Sequence, residues 1–364
     1  MPVEFIGFIG FNGSSETHPQ TGPVLDKAYV EAIARAQDEG GFDRALTASY
    51  STGPDSIVLT AYAASVTSRL SFMIAHRPGF TAPTVAARQL ASLDQLTGGR
   101  IAVHIITGGS DNELARDGDH LTKNERYART DEYLDIVRLE WTSEQPFDYE
   151  GKYYAVKKAF GEIKPHQKPH LPIYFGGSSD AAIPVAAKHA DIYAFWGETQ
   201  DQVRETVSRV RTAAAKWGRS PRLSLSLRPV LAETEEAAWK RAKDIEDRTR
   251  ELRLKAGLKV EGHTPPNAGS QRLLAAAATG SRLDKRLWTG VAALTGATGN
   301  STGLVGTPEQ VADALLDYYD LGVTTFLIRG FDPLDDAIAY GRDLLPQVRE
   351  RVAARDAASA RAAG

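Results

Sequence analysis

The chain has 364 residues, 42% of them hydrophobic and 24% charged, with a formal net charge of −3. That mix excludes wholesale disorder, and a chain with no basic excess lacks the electrostatic footprint of a nucleic-acid binder. The absence of any cysteine excludes disulfides, cysteine nucleophiles, iron–sulfur clusters and thiolate zinc sites.

No apolar run reaches the roughly 18 residues of a membrane span. Met1 to Phe11 has no Lys or Arg ahead of its apolar run, so it reads as a first strand and not as a signal peptide. A cytoplasmic location is expected. Asp26 to Glu39 carries apolar residues at helical spacing and ends at Gly40-Gly41. Asp43 to Ala48 is a second strand, and Ser56 to Ser65 a helix. Leu70 to Arg77 is a third strand, followed by a helix that Pro83 opens and that runs to Leu96. Ile101 to Thr107 is a fourth strand and Glu125 to Thr142 a long helix. Phe147 to Val156 reads as an exposed hairpin turning at Glu150-Gly151. Pro172 to Gly176, Asp191 to Trp196 and Arg222 to Leu231 are strands five to seven, each followed by a helical stretch. Thr324 to Arg329 is the eighth, and Leu334 to Ala353 the closing helix.

Eight strands, each followed by a helix, predict an α/β fold of the (β/α)8 TIM-barrel class, with a doubly wound open sheet as the alternative. The strands are continuous apolar runs, as in a parallel sheet covered on both faces. One stretch breaks the rhythm. Residues 256–303, rich in Gly, Ala, Thr and Asn, are too long for a plain βα connection and are read as an insertion between strands seven and eight, a lid over the barrel mouth. The expected organisation is one barrel domain over residues 1–352 and an Ala-rich tail, 353–364, that frays.

In such a barrel the site lies at the carboxyl ends of the strands. The inventory there is basic, hydroxylic and aromatic, with no paired carboxylates, no P-loop and no serine-hydrolase elbow. Gly176-Gly177-Ser178-Ser179-Asp180 follows a strand and opens a helix. Glycines let backbone N–H groups approach an anion, hydroxyls add donors, and the helix dipole favours phosphate; helix capping by Ser or Asp is the plainer reading. Arg126 and Tyr127 begin the long helix after strand four and have the reach to join that phosphate, or to form a surface ion pair. His166 and His170 stand at i, i+4, but Pro165 and Pro169 deny them a helix, and no metal site is expected.

The ordered stretches Arg77-Pro78 to Gln89, Leu93-Asp94-Gln95-Leu96, Gly99-Arg100, Ile106-Thr107-Gly108, Tyr174 to Asp180, Trp196-Gly197-Glu198, Leu287-Trp288, Gly290-Val291 and Leu304-Val305-Gly306 span nearly the whole chain. In them the sequence resembles the bacterial-luciferase-like family of flavin-dependent monooxygenases, and its alkanesulfonate monooxygenase branch in particular. The resemblance implies a barrel that binds FMN as FMNH2, supplied by a separate NAD(P)H:FMN reductase, with O2 as co-substrate and a peroxyflavin as oxidant. On a sulfonate the products would be an aldehyde and sulfite. It implies cofactor contacts from Ser49, Tyr50, His104, Thr107, Glu113, Arg126, Tyr127, Gly177, Ser178 and Ser179, and a cis peptide near Ala75-His76. It also implies a mobile insertion and a homodimer or homotetramer.

The substrate end departs from that branch. Gly53 replaces a cysteine, Ser226 and Arg228 replace Arg and His, and Phe331 and Pro333 replace Tyr and His. Trp196 is kept. Arg228 and Arg329 are expected to hold a small organic anion, each charge-assisted contact contributing about 1.5–3 kcal/mol. His18 or His76 is expected near the reacting face to help proton transfer. Two alternatives remain open: a flavin monooxygenase for a sulfone or other small organic molecule, and a deazaflavin (F420)-dependent oxidoreductase.

Overall fold

The computed structural model describes residues 2–363. Its strands are β1 (Glu4–Ile9), β2 (Arg44–Thr47), β3 (Ser71–His76), β4 (Ile101–Ile105), β5 (Phe147–Glu150), β6 (Ala155–Ala159), β7 (Ile173–Gly176), β8 (Ile192–Trp196), β9 (Arg222–Leu231), β10 (Arg282–Leu283), β11 (Leu287–Trp288), β12 (Gly303–Gly306) and β13 (Val323–Ile328). Eight of these, β1 to β4, β7 to β9 and β13, are the strands of a (β/α)8 barrel, with helices in the connections. The chain divides into two compact units, and the boundaries pass through β2 and β8.

The unit made of residues 1–45, 194–209 and 222–364 carries β1, β13 and β9, with β13 between the other two. Phe5 of β1 meets Phe326 of β13 at 6.1 Å, and the guanidinium of Arg349, on the last helix, lies over Phe5. Phe5 and Phe326 therefore face the helices. Side chains alternate along a strand, so Phe8 of β1 and Leu327, with Arg329 just beyond β13, face the other way. Leu327 is in register with Ser226 of β9, which puts Arg228, two residues on, on that same inner face.

The insertion starts earlier than residue 256. The helix Glu235–Lys255 packs not as a barrel helix but against β12 and the helix Gly290–Thr295, through a core of Val230, Ala238, Ala242, Ile245, Trp288, Val291, Val305 and Phe331. β12 runs parallel to the end of β9, Gly303 beside Arg228, and β10 and β11 add antiparallel to it. The helix that returns the chain to β13 is Pro308–Asp320, opened by Pro308 and a Thr307–Gln310 capping box. Propensity and period cannot tell which of two good helices touches the barrel. The closing helix is interrupted by a π-turn at Tyr340–Leu344 and then runs on to Ala363, so the Ala-rich tail is helical that far; Gly364 lies outside the described residues.

The unit made of residues 46–193 and 210–221 carries β3, β4 and β7 in that order. The hairpin β5–β6 hangs from the helix Lys123–Thr142, whose Glu132 carboxylate accepts from the backbone N–H groups of Lys152, Tyr153 and Tyr154 at 2.8, 2.8 and 3.1 Å. Thr122 and Glu125 form a capping box that starts this helix two residues before the expected Glu125. The peptide between Ala75 and His76 is trans; the cis bond among the described residues is Lys168-Pro169.

Asp94 is fully buried and ties the start of β4 to the loop before β7, accepting from Gln167 Nε2 (2.7 Å), Gln167 N (3.0 Å) and Ile101 N (3.4 Å). Removing a buried acceptor leaves its donors without water or partner. Asp94→Ala should destabilise the protein by about 2–3 kcal/mol, read as a lower denaturant midpoint at unchanged slope.

Candidate active site

The loop after β7 is shaped by Gly177, whose φ of +143° favours glycine. A Cβ there would stand 2.8 Å from the Tyr127 hydroxyl and 2.9 Å from Ala182 Cβ, so these two side chains close on the bare backbone and leave no room for a third. Tyr127 is buried and stacked on Phe175 at 6.4 Å, which fixes its hydroxyl over the loop. Tyr193 donates to the Gly177 carbonyl at 2.6 Å and locks the loop from beneath. The helix Ala182–His189 that follows has no side-chain cap, although Ser178, Ser179 and Asp180 precede it. Ser179 Oγ is buried without a hydrogen-bond partner, and Asp180 is exposed. Ser179 therefore does not cap this helix with its side chain.

Arg126 is buried, donates from Nη1 to the Leu121 carbonyl at 2.5 Å and from Nη2 to the exposed Asp111 carboxylate at 2.7 Å, and leaves Nε unpartnered. Glu113 is taken up within the protein. Arg77 donates to it at 2.6 Å and to the Ser49 carbonyl at 3.0 Å, while Ser51 N–H and Oγ bond the Glu113 side chain and carbonyl. Arg77 was visible at the end of strand three, but its partner lies 36 positions on and has no sequence signal. Ser49 is half-buried, Tyr50 exposed, Thr107 buried and Ser178 half-buried.

Burial pushes the His76 imidazole down to about 4 against the pull of Asp55, and its Nε2 bonds the Tyr133 hydroxyl at 2.6 Å. His76 is thus neutral and engaged near pH 7. Burial also pushes His104 down to about 4, and its Nδ1 has no partner. Asp131, Asp135 and His189 offer ligand atoms within 4.8 Å of one another, but the Lys188 ammonium already pairs with both carboxylates at 2.9 and 2.8 Å and supplies the cation there.

In the other unit Arg228 is fully buried, its guanidinium 3.5 Å over the Phe331 ring, and it donates to the Gly330 carbonyl at 2.8 Å. Arg329 lies over Phe8 at 5.0 Å. Both reach one carboxylate: Glu16 Oε1 accepts from Arg228 at 2.8 Å and from Arg329 at 3.0 Å. Burial alone would raise the Glu16 carboxyl, but the two guanidiniums hold it down at about 2. Glu16 is the residue that sequence reading missed, since an acid in a polar loop carries no periodic signal. His18, two residues on, is exposed; its Nδ1 meets the Thr17 hydroxyl at 3.0 Å and Asp332 at 3.4 Å. Trp196 packs beneath the insertion, touching Leu273, Ala292 and Ala297, with no room for a Cβ at Gly269. Arg272 then clamps the buried Glu198 with a bidentate pair, Nε to Oε1 and Nη2 to Oε2, both at 2.8 Å.

The sequence matches the model of the luciferase-like monooxygenases over residues 3–325. The chain belongs to the luciferase-like monooxygenase family. Among solved structures, this family member is similar to a riboflavin lyase with modified FMN and riboflavin (21% identity, 96% of this chain and 92% of that one, TM-score 0.79). It is also similar to EDTA monooxygenase from Chelativorans sp. BNC1 (21%, 96% and 94%, TM-score 0.75) and to a long-chain alkane monooxygenase (19%, 96% and 92%, TM-score 0.76). At such identities these neighbours speak to the fold.

A flavin of this family fits the residues present. A phosphate needs donors with no partner of their own, an uncapped helix start and close backbone approach. Ser179 Oγ has no partner, the helix Ala182–His189 has no side-chain cap, and Gly177 lets the Tyr127 hydroxyl stand close to the backbone.

Two outcomes follow. Gly177→Ala should push the Tyr127 hydroxyl and the loop apart and weaken FMN phosphate binding at least about ten-fold, read by titrating FMN against riboflavin, which lacks the phosphate. For His76, the unfolded state takes up a proton near pH 6.5 and the folded state only near 4, so stability present above 6.5 is lost as the pH falls towards 4, by about 1.4 kcal/mol per unit. His76→Gln should remove that increment from the pH dependence of the denaturant midpoint.

Proposed function

We propose that this chain is the oxygenase of a two-component monooxygenase: it takes reduced FMN from a separate NAD(P)H:FMN reductase and uses O2 to oxidise a small organic molecule. The observation that carries the reading is the buried, unpartnered Ser179 hydroxyl beside the Tyr127 hydroxyl and Gly177, at the start of a helix with no side-chain cap, in a chain of the luciferase-like family. Reduced flavin, when bound, supplies the electrons that activate O2.

The chain's own residues bind, orient and exclude water. Ser178, Ser179 and the backbone at Gly177 hold the phosphate, and the Tyr127 hydroxyl reaches it from the long helix. Arg126 contributes positive charge tempered by Asp111. His104, neutral and with a free Nδ1, offers a hydrogen bond to the ring system. Arg77 and Glu113 hold the loop that carries Ser49 and Tyr50. His76 is a positioning residue for the Tyr133 side of this unit, not a proton donor, because its ring is neutral and already bonded. Trp196 forms an apolar wall under the insertion, and Arg228 and Arg329 supply the polar end.

A sulfonate substrate asks those two arginines for an open anion seat. Glu16 fills it, so support moves to the alternative of a small organic molecule that is not a sulfonate.

Anaerobic titration should give tighter binding of FMNH2 than of FMN. Ser179→Ala should weaken FMNH2 about ten-fold, close to 1.4 kcal/mol. Mixing the reduced complex with O2 and reductase should consume O2. A protein that ignores FMNH2 and instead reduces F420 with an alcohol, which becomes the carbonyl compound, would overturn the proposal in favour of the deazaflavin reading.

A further inference from the structure

We propose that Glu16 is the specificity-determining residue of the Arg228–Arg329 pocket, an internal anion that reserves the pocket for an uncharged polar substrate. The inference rests on the reading that this pocket takes the substrate.

Three observations carry it. First, Glu16 is built into its place. On one side Ser15 Oγ donates to the Phe331 carbonyl at 2.6 Å; on the other Thr17 Oγ1 donates to the same carbonyl at 3.1 Å. Asn12 anchors the start of the loop, donating to the Val24 carbonyl at 2.9 Å and accepting from Ser14 N–H at 3.0 Å. The carboxylate is therefore clipped between two fixed neighbours, and not a surface acid that happened to fold inward.

Second, the charges leave little for an incoming anion. The two guanidiniums share one carboxylate oxygen, and Arg228 spends a further donor on Gly330. The next acids along the chain are not spare counter-charges: Asp332 and Asp336 both pair with Arg241 at 2.7 Å. An anion that displaced Glu16 would exchange one carboxylate–arginine pair for another and strand a buried charge, which is strongly unfavourable.

Third, the groups left over match a neutral ligand. Glu16 Oε2 is buried and unpartnered, as are Arg228 Nε and Arg329 Nε. Both arginines line a cavity with Phe8, Asn12, Ser15 and Tyr29. An acceptor and donors around the bridged carboxylate suit a small group that both gives and takes a hydrogen bond, such as an alcohol or a primary amide. A sulfonate, acceptor only, cannot satisfy Oε2 and is repelled by it.

The test uses the full chain with FMNH2 under anaerobic conditions and two probes of one length, butanesulfonate and butyramide, followed by calorimetry. Wild type should bind butyramide at least about ten-fold more tightly than butanesulfonate. Glu16→Gln should reverse the order, tightening butanesulfonate at least about ten-fold and making its affinity fall with added salt, while FMNH2 affinity stays put. Glu16→Asp keeps the charge and should keep the wild-type order. Tighter binding of butanesulfonate by wild type, or an unchanged ratio in folded Glu16→Gln, would overturn the inference. If Glu16→Gln does not fold, the wild-type ratio alone decides. Failure of wild type to bind FMNH2 would instead sink the oxygenase reading, and the probe ratio, measured without flavin, would still judge Glu16.

Discussion

A guanidinium sealed inside a protein has to meet a counter-charge, and Arg228 is fully buried on the inner face of a barrel strand. That requirement organises the surrounding unit. It draws Glu16 in from the loop after β1, recruits Arg329 from the end of β13, and stacks the guanidinium on Phe331, whose ring also belongs to the core shared with the insertion. The Phe331 and Gly330 carbonyls are tied into the same network through Ser15, Thr17 and Arg228. One buried charge thus fixes the geometry of two strand ends and the loop between β1 and its helix.

The unit with the expected phosphate site follows the opposite logic. There most charges are already answered: Arg77 by Glu113, Arg129 by Asp119, Lys188 by Asp131 and Asp135. Against that background the unanswered groups stand out. Ser179 Oγ and His104 Nδ1 are among the buried polar atoms left without a partner, and burial of an unpaired polar group is costly. Such groups persist where a ligand completes them, and here they sit on the elements that the family likeness assigns to flavin.

The insertion also changes character once its contacts are seen. It is held by a shared apolar core around Trp288 and Phe331 and by the bidentate Arg272–Glu198 pair. Trp196 is consequently a packed wall under the helix that begins at Ala268, rather than a ring free at the rim.

The sequence by itself determined the barrel class, the placing of all eight barrel strands within a few residues, and the Gly176–Asp180 loop. Those follow from local information: apolar runs of strand length, helix caps, and glycines that a turn requires. Only the tertiary structure decided which groups are free. That Arg228 and Arg329 are neutralised by Glu16, that Glu113 serves Arg77, that His76 is spent on Tyr133, and that the helix at Glu235 belongs to the insertion all depend on residues brought together from distant parts of the chain. A charge or a hydroxyl is legible in a sequence; whether it already has a partner is a property of the packing, because the partner is chosen by proximity in space and by the cost of leaving either group buried alone.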